Sequence, residues 1–257
     1  MDEMKTLVTA NQKGGVGKTS TLVHLAFDFV ERGLRVVVID IDTQANASYT
    51  LQNFKADCLA SDLFSQNGPA SKSRFASLSG NPVLIGSGAL LADLERKTLT
   101  EVAPIFKSNL EALSDCGFDM CLIDTPPSLG VGLAAALFAA DFVLSPIELE
   151  VYSIQGIKLM VTTISNMRKA NPKLKFLGMV PSKVDARNPR HGQHLKVLHT
   201  AYKDLMIPTV VGLRSSIADA LATGVPVWKI KKTAARKATK EVRALASYVY
   251  QQMEMQS

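Results

Sequence analysis

Two lysines lie in one short glycine-rich segment near the start of the chain. The segment 13–20 contains Lys-Gly-Gly-Val-Gly-Lys-Thr-Ser and follows an apolar run that ends at Ala10. Glycines let the backbone curl so that consecutive N–H groups point at one anion, and the start of a following helix adds its free N–H groups. In such a loop Lys18 reaches the β- and γ-phosphates of a nucleotide, and the Thr19 hydroxyl holds Mg²⁺. The segment therefore predicts a nucleotide site.

All eight residues of this segment are predicted to contact the nucleotide. They are Lys13, Gly14, Gly15, Val16, Gly17, Lys18, Thr19 and Ser20. The usual pattern, G-x-x-x-x-G-K-[ST], has a glycine where this chain has Gln12, and this chain has an additional lysine, Lys13. A lysine inside a phosphate-binding loop needs an anion of its own, so Lys13 either folds back on its own nucleotide or reaches that of another subunit. Lys13 and Lys18 are both catalytic candidates.

Three aspartates follow apolar runs elsewhere in the chain. Asp40 and Asp42 come at the end of one run, and Asp124 ends another. A carboxylate at the end of a buried strand can face Mg²⁺ at the sheet edge, so Asp124 is predicted to hold the ion through water, with Thr19 and Asp40 as further ligands. Asp42 lies furthest past its strand and is predicted to position the attacking water, although Asp40 stays open for that role. Catalysis is then expected to rest on positioning and charge neutralisation.

Strand-like and helix-like runs alternate along most of the chain. Strands are predicted at 5–10, 35–40, 82–85, 118–124, 142–146, 175–181 and 208–211. Helices are predicted at 19–32, 90–113, 131–140, 153–170, 189–205, 215–222 and 233–253, with two short ones within 43–66. This alternation predicts an α/β fold, a mostly parallel twisted sheet with helices on both faces. Ligands of such sheets bind at the carboxyl ends of the strands, where the phosphate segment and the three aspartates fall.

The bulk composition fits one domain. The 257 residues are 47% hydrophobic and no linker divides them, so we predict a single P-loop domain over 1–257, with a basic C-terminal helix at about 233–254. The three cysteines are scattered, and the first residues lack the pattern of a secretory signal. The longest apolar stretch is too short and too broken to cross a bilayer. These features predict a cytoplasmic protein.

The segment after the strand at 175–181 is the candidate for base recognition. It contains Pro-Ser-Lys-Val-Asp at 181–185, similar to the N-K-x-D string of GTPases, but a serine replaces the asparagine. Pro181 or Asp185 is predicted to contact the base, with a simple turn as the alternative. The residues alone do not select adenine over guanine.

A basic run lies close to the end of the chain. Seven lysines and arginines fall within 229–243, against one acid, Glu241. On a helix, an apolar stripe for docking is formed by Ala238, Val242, Leu245 and Val249, and the opposite, outward face carries Lys232, Arg236, Lys240 and Arg243. The DNA-binding candidates are Lys229, Lys232, Arg236, Lys240 and Arg243, with Arg187, Arg190 and Arg214 as weaker ones. Such a face attracts phosphates without reading bases, and its binding falls steeply with salt.

Three motifs together resemble the ParA/MinD family of ATPases, which have a deviant Walker A motif. The motifs are the phosphate segment, Asp-Ile-Asp-Thr-Gln-Ala-Asn-Ala at 40–47, and Ile-Asp-Thr-Pro-Pro-Ser-Leu-Gly at 123–130. Within the family the chain is most similar to small plasmid-partition ParA proteins. By this resemblance Lys13 is the signature lysine and Lys18 the Walker A lysine. Asp42 is then the switch I aspartate needed for hydrolysis, and Asp124 the Walker B aspartate.

The resemblance also implies a reaction cycle. ATP, bound with Mg²⁺, produces a sandwich homodimer in which each Lys13 reaches the other subunit's phosphates. The dimer binds DNA without sequence preference and is then nucleoid-associated. A ParB-type centromere-binding protein stimulates weak hydrolysis to ADP and phosphate, after which the ATPase is released and reloads. We expect no helix-turn-helix extension, because the phosphate segment begins at residue 13, and hence no sequence-specific repression.

Other functions share parts of this pattern. A MinD-like or other cargo-positioning ATPase has the same loop. MinD-type members insert an amphipathic C-terminal helix into lipid, but here the apolar stripe is expected to be used in packing, so no membrane partner is expected. A reductase similar to the nitrogenase iron protein needs cysteines after the Walker B strand, and residues 125–130 contain none. A purely structural role leaves three aspartates beside a phosphate loop unexplained.

Overall fold

A parallel sheet of seven strands forms the centre of the part of the chain that the structure describes. The structure is a computed structural model and describes residues 3–66, 68, 75, 80–150 and 153–255. The strands are β1 (Lys5–Thr9), β2 (Val36–Asp40), β3 (Lys55–Leu59), β4 (Val83–Gly86), β5 (Met120–Asp124), β6 (Phe142–Ile147) and β7 (Lys175–Pro181). Their order is β3-β4-β2-β5-β1-β6-β7, and every pairing is parallel. The predicted fold class is confirmed.

Helices connect the strands and cover both faces of the sheet. They are α1 (Lys18–Glu31), α2 (Asn46–Thr50), α3 (Leu99–Asp115), α4 (Val131–Ala139), α5 (Ser153–Ala170), α6 (Pro189–Ala201), α7 (Ser215–Thr223) and α8 (Ala235–Gln252). Short 3₁₀ turns lie at Gln52–Phe54, Ala60–Phe64, Ala89–Arg96, Lys203–Leu205 and Val227–Lys229. Within the described residues, none of the helices has the length and apolar character needed to cross a membrane.

Alternation along the strands divides the core into two layers. In β2, Val37 and Ile39 pack in the layer that α3, α4 and α5 cover, whereas Val36 and Val38 pack in the layer covered by α1, α7 and α8. Successive side chains of a strand point to opposite faces, so an unbroken apolar run is buried on both sides. The charged residue that ends such a run is thereby placed at the carboxyl end of its strand.

The carboxyl ends of the central strands bring the predicted site together. β1 lies between β5 and β6, with Thr9 opposite Asp124, and Asp124 is also opposite Asp40 of β2. The connection from β1 runs to one side of the sheet and the connection from β5 to the other. This reversal opens a crevice at the strand ends, where ligands of α/β sheets bind.

Two predictions about short strands are wrong. β3 lies within 43–66, where only helices are predicted, and its alternating exposed and buried residues form too short a pattern to stand out between turns. In the described segment 206–213 no strand forms, although the chain runs beside β7. Ile207 N and Val211 N donate to carbonyls of β7, but Pro208 between them has no N–H to continue the ladder.

Several helix boundaries also differ from the predictions, and α6 ends at Ala201, before the 3₁₀ turn Lys203–Leu205. The predicted helix 90–113 is a 3₁₀ turn followed by α3, because a new helix begins where the Thr98 N–H donates to Glu101 Oε2 at 2.7 Å in a capping box. α8 is shorter at both ends than the predicted 233–254. Lys232 therefore lies in the turn before the helix rather than on its face.

Candidate functional site

The phosphate segment forms a tight loop between β1 and α1. Gly15 and Gly17 have positive φ angles of 76° and 96°, and α1 starts directly after Gly17. A Cβ on Gly17 would lie 2.6 Å from Ser182 Oγ, so both the backbone and the space require glycine. Within the described residues no side chain caps the first turn of α1, so its backbone N–H groups remain available to an anion.

A cleft of about 460 Å³ opens beside this loop. Its lining comes from the phosphate loop, the loops after β2, β5 and β7, and the helices α2 and α7. The lining residues are Gly14, Gly15, Gly17, Lys18, Thr19, Ser20, Asp42, Gln44, Asn46, Tyr49, Thr50, Pro127, Lys183, Leu221 and Ala222. Of the eight predicted loop residues, six line the cleft, whereas Val16 and Lys13 line a second cavity toward β6 and α5. Polar and apolar groups together suit a nucleotide, which has charged phosphates and a flat base.

Lys18 lines the cleft and is almost fully buried, with 6% of its surface exposed. Its Nζ lies 3.4 Å from the carbonyl oxygen of Lys13. Burial lowers the pKa of Lys18, and the charges of Asp124 and Asp42 oppose that shift. A partly desolvated ammonium group gains strongly from an incoming anion, which fits the predicted contact with phosphate.

Thr19 and Asp124 form the candidate metal centre. Thr19 Oγ1 donates to Asp124 Oδ2 at 2.6 Å, and Asp124 is completely buried. Burial raises the pKa of Asp124 to about 7, the charge of Asp40 adds to this, and the Thr19 hydrogen bond and the charge of Lys18 oppose it. A buried carboxylate beside a hydroxyl is a pair of hard oxygen donors, so these residues fit Mg²⁺.

Asp40 and Asp42 are placed differently. Asp42 lines the cleft, and its Oδ1 accepts from Gln44 N at 2.9 Å. Asp40 is completely buried, with Oδ1 accepting from Asp42 N at 3.1 Å and Oδ2 from the N and Oγ of Ser48 at 2.7 Å each. Burial raises the pKa of Asp40 despite these hydrogen bonds. Both oxygens of Asp40 are engaged by nearby loop and helix groups, which is the geometry of an orienting residue rather than of a metal ligand.

Lys13 points away from the cleft in this single chain. Its Nζ lies 2.9 Å from Glu148 Oε2 and 2.6 Å from Glu150 Oε2, and its side chain is 49% exposed. Its burial would lower the pKa of Lys13, but hydrogen bonds with Glu150 and Glu148 outweigh that effect and raise it. Sequence reasoning missed this pairing, although two acids directly after a buried strand, β6, are a visible signal.

The base-recognition residues are not brought to the cleft. Pro181 is buried at the end of β7, and the Asp185 carboxylate binds the guanidinium of Arg187 at 3.1 Å. Lys183 between them lines the cleft instead, with a positive φ of 53°. Pro181 and Asp185 lie on either side of this left-handed residue and do not line the cleft. The sequence spacing contains no information on the turn. Tyr49 and Leu221 are apolar lining residues that sequence reasoning also missed.

The C-terminal helix confirms its predicted apolar stripe but not its full basic face. Ala238, Val242, Leu245 and Val249 are all buried. Arg243 is turned inward, because its guanidinium binds Asp28 Oδ2 at 2.5 Å and Glu31 on α1 and stacks 3.6 Å from the ring centre of Trp228. Helical spacing places Arg243 on the outward face of α8, but the buried carboxylate of Asp28 on α1 draws its guanidinium inward.

The remaining DNA-binding candidates differ in their contacts with carboxylates. Three have a carboxylate partner: Lys232 binds Asp219 at 2.6 Å, Arg214 binds Glu241 at 2.5 Å, and Arg187 binds Asp185. Lys229, Arg236, Lys240 and Arg190 are exposed. Lys229, Arg236 and Lys240 share a groove of about 670 Å³ with Trp228, Lys231 and Lys232, at the start of α8. We call this the basic groove.

The fold and site define the chain as a P-loop nucleotide-binding protein, and comparison with known proteins places it further. A family model described as an AAA domain matches residues 4–176. The protein IncC of Escherichia coli is 66% identical over 98% of this chain and 71% of its own length. The chromosome-partitioning ATPase Soj of Thermus thermophilus is 32% identical over 86% of both chains.

The solved structure of a putative plasmid partition protein of Borrelia burgdorferi bound to AMPPNP has the same fold. It superposes with a TM-score of 0.75 at 21% identity, covering 95% of this chain and 99% of that one. The chain belongs to the ParA family of plasmid- and chromosome-partition ATPases, in the IncC-like group. The family resemblance found in the sequence is thereby confirmed.

Proposed function

We propose that this chain is a Mg²⁺-dependent ATPase that segregates a plasmid by binding DNA while ATP is bound and releasing DNA after hydrolysis. The observation that supports it most is that Lys18, Thr19 and Asp42 line one cleft beside an uncapped helix start, with the buried carboxylate of Asp124 hydrogen-bonded to Thr19. Phosphoryl transfer needs positioned charges more than covalent chemistry, and these side chains supply positioned charges.

Each residue has a defined task in the proposed hydrolysis. Thr19 and Asp124 are the residues that would hold Mg²⁺, which would supply charge neutralisation to the phosphates of ATP. Lys18 neutralises further charge on the same phosphates. Asp42 accepts a hydrogen bond from a water molecule and holds it for attack on the γ-phosphorus. The bond from that phosphorus to the β–γ bridging oxygen breaks, leaving ADP and phosphate.

Lys13 acts between subunits in this proposal. Its ammonium group is half-exposed and is held by Glu148 and Glu150 rather than by its own nucleotide cleft. Those pairs are partly exposed, so they are weak enough for a phosphate of a second subunit to replace them. Two ATP-bound chains would then form a sandwich homodimer in which each Lys13 contacts the partner's nucleotide.

DNA is the proposed partner of the basic groove. Its exposed lysines and arginine match a phosphate backbone, and each contact releases a condensed counterion. Binding is therefore expected without base preference. A ParB-type protein on the plasmid is proposed to stimulate hydrolysis, so that a cytoplasmic protein joins the nucleoid only while ATP is bound.

The test is retention of random-sequence duplex DNA by the full chain with ATP, with ADP and without nucleotide. We expect retention with ATP and Mg²⁺ at about 50 mM salt and a loss of tenfold or more at about 200 mM salt. Equal retention with and without ATP would overturn the switch. ATP turnover with retention on anionic lipid vesicles instead of DNA would favour a MinD-like positioning ATPase.

A further inference from the structure

Asp42, which lines the cleft, closes a ring of hydrogen bonds with Asp40, Ser48 and Ser87. Asp40 Oδ1 accepts from Asp42 N at 3.1 Å, and Asp40 Oδ2 accepts from Ser48 Oγ at 2.7 Å. Ser48 Oγ in turn accepts from Ser87 N at 2.7 Å, and Ser87 Oγ donates to Asp42 O at 2.8 Å. The ring therefore starts at the backbone N–H of Asp42 and ends at its carbonyl oxygen.

The ring joins three elements of the fold to the loop that carries Asp42. Asp40 ends β2, Ser48 lies in α2, and Ser87 directly follows β4. Asp40 is fully shielded from water, which strengthens the hydrogen bonds it accepts.

The direction of the Asp42 carboxylate follows from its backbone. Asp42 lies beyond the end of β2, so the ladder of the sheet does not hold its carbonyl oxygen. Its Oδ1 bonds to Gln44 N in its own loop, and thus a shift of the loop carries the carboxylate with it. Ser87 is not among the described residues that line the cleft, so its hydroxyl acts on Asp42 rather than on a ligand.

We propose that Ser87 is a positioning residue for hydrolysis, which fixes the backbone of Asp42 and so aims its carboxylate at the attacking water. The inference rests on the proposed ATPase function. Misplacing a reacting group by about 1 Å can cost about a hundredfold in rate, so the loss of one of several restraints is expected to cost about tenfold.

Ser87→Ala removes one bond and leaves the rest of the ring in place. The Ser87 N–H still reaches Ser48, and Asp42 O keeps Ala45 N as a second partner at 2.9 Å. Ser87→Thr keeps the hydroxyl. Ser65→Ala is the matched control, because Ser65 Oγ also donates to an aspartate carbonyl, that of Asp62, at 2.8 Å.

Steady-state ATP hydrolysis and equilibrium ATP affinity of these variants test the proposal. For Ser87→Ala we expect kcat to fall about tenfold, with ATP affinity within about twofold of the wild type. Ser87→Thr is expected to recover most of kcat, and Ser65→Ala to match the wild type. A purely structural serine would lower kcat and ATP affinity together, and that result would overturn the proposal.

Breaking the ring from its other side gives a second, independent measurement. Ser48→Ala removes the acceptor of the Ser87 N–H and a donor to Asp40, so a larger loss of kcat is expected. The double variant of Ser48 and Ser87 should be little worse than Ser48→Ala alone, since both act on Asp42 through one ring. If Ser87→Ala does not fold, Ser48→Ala still reports the loss of kcat that follows from breaking the ring.

Two failures are distinguishable. A wild-type chain that hydrolyses ATP, together with a Ser87→Ala variant of unchanged kcat or additive losses in the double variant, would overturn this inference alone. A wild-type chain that binds ATP without turnover, even with its partner, would overturn the proposed function and this inference with it. Asp42→Ala, which should bind ATP without hydrolysing it, gives the lower limit of the assay.

Discussion

Replacing Gly17 by alanine tests the geometry that shapes the phosphate loop. Gly17 has a φ of 96°, and a Cβ built on it would lie 2.6 Å from Ser182 Oγ at the end of β7. The change therefore combines backbone strain with a steric overlap. Gly33, just past the other end of α1, has nearly the same φ of 92° but nothing within 4 Å of its Cβ position. Gly33→Ala thus isolates the backbone strain.

The two contributions can be estimated separately. A left-handed backbone costs an L-residue about 1–2 kcal/mol. An overlap with a buried neighbour such as Ser182 adds about 1–3 kcal/mol, because Ser182 must move or the loop must open. We therefore expect Gly17→Ala to lower the free energy of unfolding by about 2–5 kcal/mol and Gly33→Ala by about 1–2 kcal/mol.

Urea unfolding of four variants measures these contributions. They are Gly17→Ala, Gly33→Ala, Ser182→Ala and the double variant of Gly17 and Ser182. In the double variant, the absence of Ser182 Oγ should recover most of the difference in unfolding free energy between the two glycine variants. The cost of the left-handed backbone should remain. ATP affinity should fall about tenfold or more in Gly17→Ala and recover in part in the double variant, because the N–H groups of the loop must converge on one anion.

The reasoning is refuted by either of two results. The first result is that Gly17→Ala is no more destabilising than Gly33→Ala. The second is that adding Ser182→Ala to Gly17→Ala restores neither stability nor ATP affinity. In both cases the close approach of the loop to β7 would not determine the shape of the site.

Four further predictions concern charge. Lys13→Ala should keep nucleotide binding but lose ATP-dependent dimers in sedimentation velocity, and dimers at wild-type level would contradict a role between subunits. Lys240→Ala should lower the log–log salt slope of DNA binding by about 1 with unchanged unfolding. Arg243→Ala should lower the free energy of unfolding by about 1–3 kcal/mol, because it leaves buried Asp28 short of a partner. It should have little effect on the salt slope, because the Arg243 side chain is turned toward α1. Burial lowers the pKa of His24 to about 4 despite its contact with Ser20 O. Stability should therefore be lost as pH falls from about 6.5 to about 4, by about 3 kcal/mol, and His24→Leu should remove this loss in urea titrations.

The part of the site that sequence alone predicts is the part that local geometry controls. Lys18 and Thr19 are adjacent to the glycines that shape their loop, and Asp124 ends an apolar run that had to be a buried strand. A strand end and a loop after a strand fall on the same edge of a parallel sheet in every arrangement of such a fold. These positions needed no knowledge of distant contacts.

Short or weakly patterned segments are harder to predict, because their structure depends on contacts with other elements rather than on local geometry. β3 is recognisable only by its neighbour β4, and the segment 206–213 fails as a strand because one proline interrupts its ladder with β7. Pro181 and Asp185 lie on either side of a left-handed turn at Lys183, and the sequence spacing contains no information on that turn.

Only the tertiary structure determined which charges meet. Arg243 and Asp28 are 215 residues apart, and their pairing removes an arginine from the predicted DNA-binding face. Lys13 binds two acids after β6, and the ring through Ser48 and Ser87 joins residues from three elements. Sequence fixes the type of each side chain and its local geometry. The partner of a long, charged side chain depends on which surfaces the packed core brings together, and that is a property of the whole fold.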